Sequence, residues 1–236
     1  MTLRADQQAV IFDWNGTLLS DIHRAVEATN AAIALLGVPP SGVRRYQQLY
    51  EMPLKKLYLR LGCDERELEA RQDEVFSVWG SYYEENGQNL RLRRSAKSVL
   101  TQLKERGHRT AILSNHTVKI IAGYVERFGM TALFDKILAN ACHELTDIMH
   151  KADKGSRLKS FVDEHDVRQA IVIGDSAEEI EIAHAYGFVG VGIAGGYYSP
   201  ERLQKADPDF IIHRLDQLPA IVDRVFSSRA SEVKAA

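Results

Sequence analysis

Residues 10–21, VIFDWNGTLLSD, are the segment that most directly indicates the fold. Their apolar start is typical of the end of a buried strand, and Asp13 follows at the point where such a strand stops. The next positions are Trp14, Asn15 and Gly16, so an amide stands where a second acid would complete a catalytic pair. A glycine here permits a tight turn whose backbone can approach a ligand. The segment therefore predicts a buried strand that ends with one carboxylate at a ligand-binding site.

The overall composition is that of a globular protein and points away from several classes of partner. The chain has 236 residues, of which 45% are hydrophobic and 26% are charged, with a formal net charge of -2. This near-neutral balance gives no electrostatic argument for nucleic acid or for an anionic membrane as a partner. No apolar run approaches the roughly 20 residues of a membrane span, and the N-terminal MTLRADQQ lacks the apolar core of a signal peptide. We expect a cytoplasmic protein that is a monomer by default.

Short apolar runs alternate with helical patterns along most of the chain. The helical periodicity is clearest over residues 118–128, 158–165 and 180–186. Continuous apolar strands between amphipathic helices are typical of a parallel sheet that is covered on both faces. With right-handed crossovers, this pattern predicts the α/β class with a doubly wound parallel sheet. The predicted strands are residues 8–12, 109–114, 136–140, 170–174 and 188–194, with 209–213 as a further candidate.

One interval, residues 21–89, breaks this alternation because it contains helical patterns and no convincing strand. A helical insertion between the first and second strands of the sheet predicts a small separate subdomain. The C-terminal SSRASEVKAA is expected to be disordered. The predicted organisation is a core of residues 1–20 and 90–226, a helical subdomain of residues 21–89 with hinges near Leu19–Asp21 and Asn89–Arg91, and a disordered tail of residues 227–236.

Polar residues follow the predicted strands at their carboxyl ends, the edge at which open α/β sheets bind ligands. The set contains two carboxylates, a hydroxyl, a lysine and a glycine turn with free backbone N–H groups. These groups together suit a phosphate with its Mg²⁺. The residues are Asp13 and Asn15 after the first strand, Ser114 and Asn115 after the second, Asp175 after residues 170–174, and Lys151 at the start of the preceding helix.

Four short segments, FDWNGTLL, AILSN, HKA and VIGDSAEE, resemble in this order the four motifs of the haloacid dehalogenase-like hydrolases. The helical insertion resembles the C1 cap of that family, and the resemblance extends from Val10 to about Leu218. It is strongest to the phosphoglycolate-phosphatase-like branch, some members of which also carry DWNGT. The resemblance implies a Rossmann-like core with a cap, and a phosphatase that uses Mg²⁺ to act on a small phosphate ester.

The resemblance also implies roles for individual residues. The family's first aspartate attacks phosphorus, so Asp13 would be the nucleophile and would become transiently phosphorylated. Mg²⁺ removes the repulsion between a carboxylate and a phosphate dianion. The implied metal ligands are Asp13, the backbone carbonyl of Asn15 and Asp175. Glu179 stands four residues after Asp175, where the family commonly has an aspartate, and is expected to reach the metal shell, directly or through water.

Three further residues correspond to the phosphate-binding part of the family's site. Ser114 matches the hydroxyl that binds the transferring phosphoryl group, and Asn115 completes the phosphate site. Lys151 in HKA matches the lysine that compensates the charge of the nucleophile and the phosphate. Lys154 is the alternative because KGSRL also opens a helix, although the spacing to Asp175 favours Lys151.

Asn15 departs from the family pattern. The usual acid at this position protonates the leaving group and later deprotonates the attacking water, and an amide can do neither. General acid–base catalysis contributes typically about 10²–10⁴-fold. Three interpretations are open. The protein is a phosphatase in which His116 or His23 replaces the acid, or in which an acyl or aryl leaving group needs no acid. Alternatively, it is a phosphonate-cleaving enzyme that forms an imine through Lys55 or Lys56, or a weakly active phosphate-binding protein.

The predicted cap carries the candidates for recognition of the rest of the substrate. Lys56 and Arg60 share one face of a helix and would favour a second anionic group such as a carboxylate. The tyrosines of this segment are expected mainly to form the cap core, with stacking on a substrate ring as the alternative: Tyr46, Tyr50 and Tyr58.

Overall fold

The computed structural model describes residues 3–141 and 154–232, with side chains as far as residue 227. Its strands are β1 (Gln8–Phe12), β2 (Leu19–Ser20), β3 (Arg91–Leu92), β4 (Arg109–Thr117), β5 (Lys136–Asn140), β6 (Gln169–Gly174), β7 (Val189–Ile193) and β8 (Phe210–Ile212). The α-helices of the described residues are α1 (Ile22–Ala34), α2 (Val43–Leu49), α3 (Leu54–Leu61), α4 (Glu65–Ala70), α5 (Gln72–Glu85), α6 (Ala96–Glu105), α7 (Val118–Arg127), α8 (Lys154–Glu164), α9 (Ala177–Ala185), α10 (Pro200–Lys205) and α11 (Leu218–Glu232).

Six of the strands form one parallel sheet in the order β5-β4-β1-β6-β7-β8. The central strand β1 pairs with β4 on one side and with β6 on the other. The winding of the chain therefore reverses beside β1, and such a switch point is where α/β sheets bind ligands at their carboxyl edge. The α/β doubly wound parallel sheet predicted from the sequence is confirmed.

Alternate residues of β1 belong to two different cores, as the two-residue period of a strand requires. Val10 and Phe12 pack with α6, α7 and α11 on one face of the sheet. Ala9 and Ile11 pack with α8 and α9 on the other face. Since helices cover both faces, β1 and β6 are buried along their whole length, which explains why they are almost continuously apolar.

The two predicted hinges pair with each other as a short antiparallel ribbon. Leu19 of β2 lies opposite Leu92 of β3, and Ser20 lies opposite Arg91. Segments of two residues are too short to carry a periodic pattern, so no sequence pattern predicts these strands. The ribbon holds the entry and the exit of the insertion side by side.

The insertion between β2 and β3 contains helices α1 to α5. Its buried side chains form a hydrophobic cluster that includes Ile33, Leu57 and Phe76, together with Tyr197 from the α/β core. A core of this kind supports our proposal that the predicted subdomain, residues 21–89, is a cap over the carboxyl edge of the sheet. None of the helices in the described residues is long and apolar enough to cross a membrane.

The C-terminal helix differs from the sequence prediction. Residues 227–236 were expected to be disordered, but α11 continues to Glu232, while residues 233–236 lie outside the described residues. Val222 and Phe226 anchor the preceding turns of α11 in the core. The arginine, alanine and glutamate of residues 229–232 are good helix formers, so an anchored helix extends through them.

Because helices pack against both faces of the sheet, we expect the stability of the protein to depend strongly on the side chains of the central strands. We expect Ile171→Ala, at a fully buried position of β6, to lower the free energy of unfolding by about 2–5 kcal/mol because it leaves a cavity in the core. Ile211→Ala, on the edge strand β8 at a position that is 39% exposed, is the matched control and should cost less than about 1 kcal/mol. Urea unfolding of both variants measures the difference, and equal losses would contradict this packing.

Candidate active site

The residues that follow the strands meet at the carboxyl edge of the sheet. Asp13 directly follows β1 and is 5% exposed. Lys154, the first residue of α8, donates a hydrogen bond from Nζ to Asp13 Oδ1 at 2.9 Å. Burial raises the pKa of Asp13 to about 7, against the opposing effect of the Lys154 charge. Lys154 is thus the lysine that the described residues place against Asp13, while Lys151 lies outside them.

Two further carboxylates, Glu178 and Glu179 of α9, contact the same lysine. Glu178 Oε2 lies 3.5 Å from Lys154 Nζ, and Glu179 Oε1 accepts a hydrogen bond from it. The other oxygen of Glu179 accepts a hydrogen bond from Ser176 Oγ at 2.7 Å. Burial alone would lower the pKa of Lys154, but the surrounding carboxylates outweigh that effect and raise it well above its usual range. Lys154 is therefore a permanent cation.

Asp175 directly follows β6, and its carboxylate occupies space that is free because residues 16 and 196 are glycines. Its Oδ2 accepts a hydrogen bond from the backbone N–H of Tyr197. A Cβ atom at Gly16 would lie 2.1 Å from this oxygen, and one at Gly196 would lie 1.9 Å from it. Burial and the neighbouring carboxylates raise the pKa of Asp175 well above its usual range. The glycine turn after Asn15 is thus required by the position of Asp175, since Gly16 also has a positive φ of 76°.

The side chain of Asn15 is held by the buried carboxylate of Asp21, a residue that the sequence predicts only as part of a hinge. Asn15 Nδ2 donates a hydrogen bond to Asp21 Oδ2 at 2.7 Å and lies 3.1 Å from Tyr83 Oη. The hydroxyls of Tyr83 and Tyr197 donate to the same oxygen at 2.6 and 2.9 Å. The backbone N–H of Gly16 donates to Asp21 Oδ1 at 2.8 Å. Asp21 therefore ties the first motif to cap helix α5.

The second predicted strand runs past its expected end. β4 continues to Thr117, with an irregularity in its pairing after Leu113, so Ser114 and Asn115 lie within the strand. Ser114 is buried, and its Oγ accepts a hydrogen bond from the backbone N–H of His116 at 3.1 Å. Asn115 Nδ2 donates to Glu178 Oε2 at 2.8 Å. Both residues share the cavity with Asp13.

The basic residues predicted on the cap lie away from this cavity. Lys56 Nζ is 2.8 Å from Glu51 Oε1, and Arg60 pairs with the other oxygen of Glu51. Lys55 Nζ is 2.7 Å from Glu65 and 2.6 Å from Glu69. The structure therefore does not bring Lys56 and Arg60 to the strand-end residues. They form ion pairs on the solvent side of the cap instead.

A cavity of about 390 Å³ lies between the strand ends and the cap. Its polar side chains include all of the predicted strand-end residues that the structure describes, and His116 lies at it as well. The remaining surface comes largely from aromatic and aliphatic side chains of α2, α3 and α5. The polar members at the ends of β1, β4 and β6 and at the starts of α8 and α9 include Asp13, Asn15, Ser114, Asn115, Lys154, Asp175, Glu178 and Glu179.

The donor set at the strand ends fits a hard divalent cation. Three carboxylates surround Lys154, and Asp175 lines the same cavity. Burial, together with the neighbouring carboxylates, raises the pKa of Asp13 and of Asp175. Within residues 3–141 and 154–232, no three His, Cys, Asp or Glu side chains converge as a metal-ligand set. Mg²⁺ accepts one or two carboxylates and fills its remaining positions with other oxygens and water. Asp13 and Asp175 with a backbone carbonyl therefore suit it.

Several residues of the site carried no clear signal in the sequence. Asp21, Tyr83 and Tyr197 come from three distant segments, and only the folded chain brings their polar atoms together. Glu178 lies in the quoted VIGDSAEE segment, where a helix N-terminus already explains an acidic residue. Gly196, within GGYYS, has a purpose only once the position of Asp175 is known.

Comparison with known proteins agrees with this geometry. A family model described as haloacid dehalogenase-like hydrolase matches residues 7–187. A phosphoglycolate phosphatase of Synechococcus elongatus is 27% identical over 207 residues, which cover 87% of this chain and 92% of that protein. A phosphoglycolate phosphatase of Haemophilus influenzae is 28% identical over 221 residues, which cover 89% and 96% of the two chains. These relatives agree with the predicted branch and with the predicted class of enzyme, a phosphoric monoester hydrolase.

Solved structures confirm the fold. A predicted phosphoglycolate phosphatase from Haemophilus somnus superposes with a TM-score of 0.74 at 22% identity, over 90% of this chain and 96% of that one. A haloacid dehalogenase-like hydrolase from Bacteroides fragilis gives a TM-score of 0.73 at 22% identity, over 89% and 98%. Since the family model spans well over half of the sequence and includes the strand-end residues Asp13, Lys154 and Asp175, the chain belongs to the haloacid dehalogenase-like hydrolase family.

Proposed function

We propose that this chain is a Mg²⁺-dependent phosphatase that cleaves a small phosphate monoester through an aspartyl-phosphate intermediate on Asp13. The observation that supports this most strongly is the buried contact of 2.9 Å between Asp13 and Lys154, in a cavity shared with Asp175. A carboxylate that is held beside a fixed cation at a strand end is suited to attack on phosphorus. The phosphatases among its curated relatives support the same class of substrate.

In the first step, an oxygen of Asp13 forms a bond to phosphorus while the bond from phosphorus to the leaving oxygen breaks. The electron pair departs with the leaving group. Lys154 offsets part of the negative charge that accumulates on Asp13 and the phosphoryl oxygens. Ser114 Oγ and the Asn115 amide would hold these oxygens from the β4 side.

In the second step, water attacks the phosphorus of the aspartyl phosphate and expels the Asp13 carboxylate. The products are inorganic phosphate and the regenerated nucleophile, and the proton of the water passes to solvent. A carboxylate has an ordinary pKa of about 4, so it is a good leaving group even without an acid. The absence of a second carboxylate at position 15 is thus less costly for this step than for expulsion of an alkoxide.

Asp13, the backbone carbonyl of Asn15 and Asp175 would hold Mg²⁺, with Glu179 behind them on Ser176 and Lys154. When bound, the metal neutralises charge on the phosphate and orients it for in-line attack. The excess of buried carboxylates over cations in this part of the site is the observation that supports the assignment.

The phosphonate-cleaving alternative requires a cap lysine that faces the substrate as a free amine. Lys55 and Lys56 are each paired with glutamates, and neither lines the cavity. Hydrogen bonds to Glu65 and Glu69 raise the pKa of Lys55, whereas an imine-forming lysine needs a lowered one. This geometry favours the phosphatase.

Replacement of Asp13 tests the proposed nucleophile. We expect Asp13→Asn to lower kcat for acetyl phosphate at least about 10³-fold, because an amide oxygen does not form the phosphorylated intermediate. Phosphate release in the presence of Mg²⁺, and its loss on addition of EDTA, is the measurement. Asp163→Asn, at an exposed carboxylate of α8, is the control and should keep wild-type turnover. Unchanged turnover in Asp13→Asn would refute the mechanism.

The contact between Asn15 and Asp21 explains why the family's usual acid is missing here. A carboxylate at position 15 would face Asp21 Oδ2 at the 2.7 Å that now separates it from an amide donor. Asp21 is 1% exposed, so two like charges would meet with little water to screen them. The amide at position 15 is thus the partner that a buried Asp21 requires.

This pairing predicts the result of restoring the acid. Asn15→Asp should lower the free energy of unfolding by about 1–3 kcal/mol, because a buried hydrogen bond is replaced by two facing acceptors. Asn15→Asp/Asp21→Asn, which exchanges amide and carboxylate, is the control and should be more stable than Asn15→Asp alone. Chemical denaturation of the double-mutant cycle measures the coupling. Additive losses would show that the two side chains do not interact as described.

A further inference from the structure

The cap side of the cavity is built from aromatic side chains, which we call the aromatic chamber. Two of them, Trp79 and Tyr83, stack with ring centroids 4.8 Å apart and only 12° between their planes. Tyr83 is fixed further by its hydrogen bond to Asp21. Rigid aromatic surfaces of this kind bind flat, apolar groups. The members of the aromatic chamber are Tyr46, Tyr50, Tyr58, Phe76, Trp79 and Tyr83.

Within the part of the chain that the structure describes, the aromatic chamber contains no lysine or arginine that could pair with a second anionic group. Among the described residues that line the cavity, Lys154 is the sole lysine or arginine. It is already surrounded by Asp13 and the two glutamates of α9. A carboxylate on the leaving group would find no lysine or arginine partner among these described residues, and loss of hydration without an ion partner is unfavourable. The lining favours a neutral leaving group over a carboxylate such as that of glycolate.

One polar atom in the aromatic chamber has no partner within the described residues. Tyr58 is 1% exposed, and its Oη is a buried atom without a hydrogen bond. Burial raises the pKa of this hydroxyl well above its usual range, so it stays a neutral donor. Unsatisfied buried hydroxyls are rare in native proteins. Because this oxygen is inaccessible even to a water-sized molecule, Tyr58 adds to the apolar wall of the chamber and makes no polar contact to a ligand.

The missing acid at position 15 independently restricts the leaving group. An alkyl alkoxide is the conjugate base of an acid about as weak as water, so it needs a proton in order to leave. A phenolate has a conjugate acid with a pKa of about 10 and leaves far more readily. Asn15 donates its amide hydrogen to Asp21 and does not titrate. The site therefore suits a leaving group that departs as an anion.

From the aromatic lining, the lack of a second lysine or arginine among the described lining residues and the amide at position 15, we infer that the substrate is an aryl phosphate monoester. Its ring occupies the aromatic chamber while its phosphate lies between Asp13 and Ser114. The bond from Asp13 to phosphorus forms as the bond from phosphorus to the phenolic oxygen breaks, and the phenolate takes its proton from water. This inference rests on the proposed phosphatase function and names the substrate class of the same site.

A comparison of substrates tests the inference. Phosphate release would be measured with phenyl phosphate, 2-phosphoglycolate and acetyl phosphate in the presence of Mg²⁺. We expect kcat/KM for phenyl phosphate to exceed that for 2-phosphoglycolate at least about 10²-fold, the size of effect that a missing general acid has on an alkyl ester. Acetyl phosphate, whose leaving group needs no acid, reports on the phosphatase reaction itself.

Two glycines provide matched variants for the chamber. Gly80 of α5 and Gly123 of α7 both lie inside helices, and a Cβ atom at either would meet nothing within 4 Å. Gly80 lines the cavity, whereas Gly123 does not. Gly80→Leu should lower the ratio of kcat/KM for phenyl phosphate over acetyl phosphate roughly tenfold or more, because it narrows the space for a ring. Gly123→Leu should leave this ratio unchanged.

The outcomes separate the inference from the function on which it rests. Turnover of 2-phosphoglycolate that equals or exceeds that of phenyl phosphate would overturn the aryl assignment and leave the phosphatase standing. An unchanged ratio in Gly80→Leu would do the same. Failure to hydrolyse acetyl phosphate as well as both esters would overturn the phosphatase and the aryl assignment together. A preference for phenyl phosphate that falls in Gly80→Leu alone supports both.

Discussion

The site depends on one electrostatic constraint, the crowding of three carboxylates around the buried Lys154, with a fourth carboxylate, Asp175, in the same cavity. Asp13 and Lys154 make the central contact at 2.9 Å, and both glutamates of α9 approach the same ammonium group. Burial makes this arrangement expensive, since unpaired charge in a low dielectric costs several kcal/mol. In the proposed function, a divalent cation is the partner that would offset this negative charge.

A second buried carboxylate, Asp21, links this site to the cap. It receives hydrogen bonds from Asn15, Gly16, Tyr83 and Tyr197, so the first motif, cap helix α5 and the loop after β7 share one acceptor. The amide at position 15 belongs to this arrangement. Asn15, which stands in place of the family's usual acid, therefore also allows the carboxylate of Asp21 to be buried beside the hinge.

The sequence predicted the parts of the fold that have strong local patterns. The strands of the central sheet and the residues at their ends follow from apolar runs of five or six residues and from the polar residues behind them. The two-residue ribbon of β2 and β3 and the helical extension of α11 did not, because neither has a periodic pattern of its own. The position of Lys56 and Arg60 was also not predictable, since it depends on Glu51 being nearby in space. Asp21 is readable from the sequence only as a polar residue near a hinge.

The central claim is that the site holds an excess of buried negative charge that Mg²⁺ would offset. Thermal unfolding of wild type and Asp175→Asn, with and without Mg²⁺, tests this claim most directly. Without Mg²⁺, the variant should melt at a higher temperature than wild type, because it removes one like charge from a buried cluster. With Mg²⁺, wild type should gain stability by binding the cation, and the variant should gain much less. A variant that is less stable than wild type without Mg²⁺ and that responds to the metal equally would contradict the account.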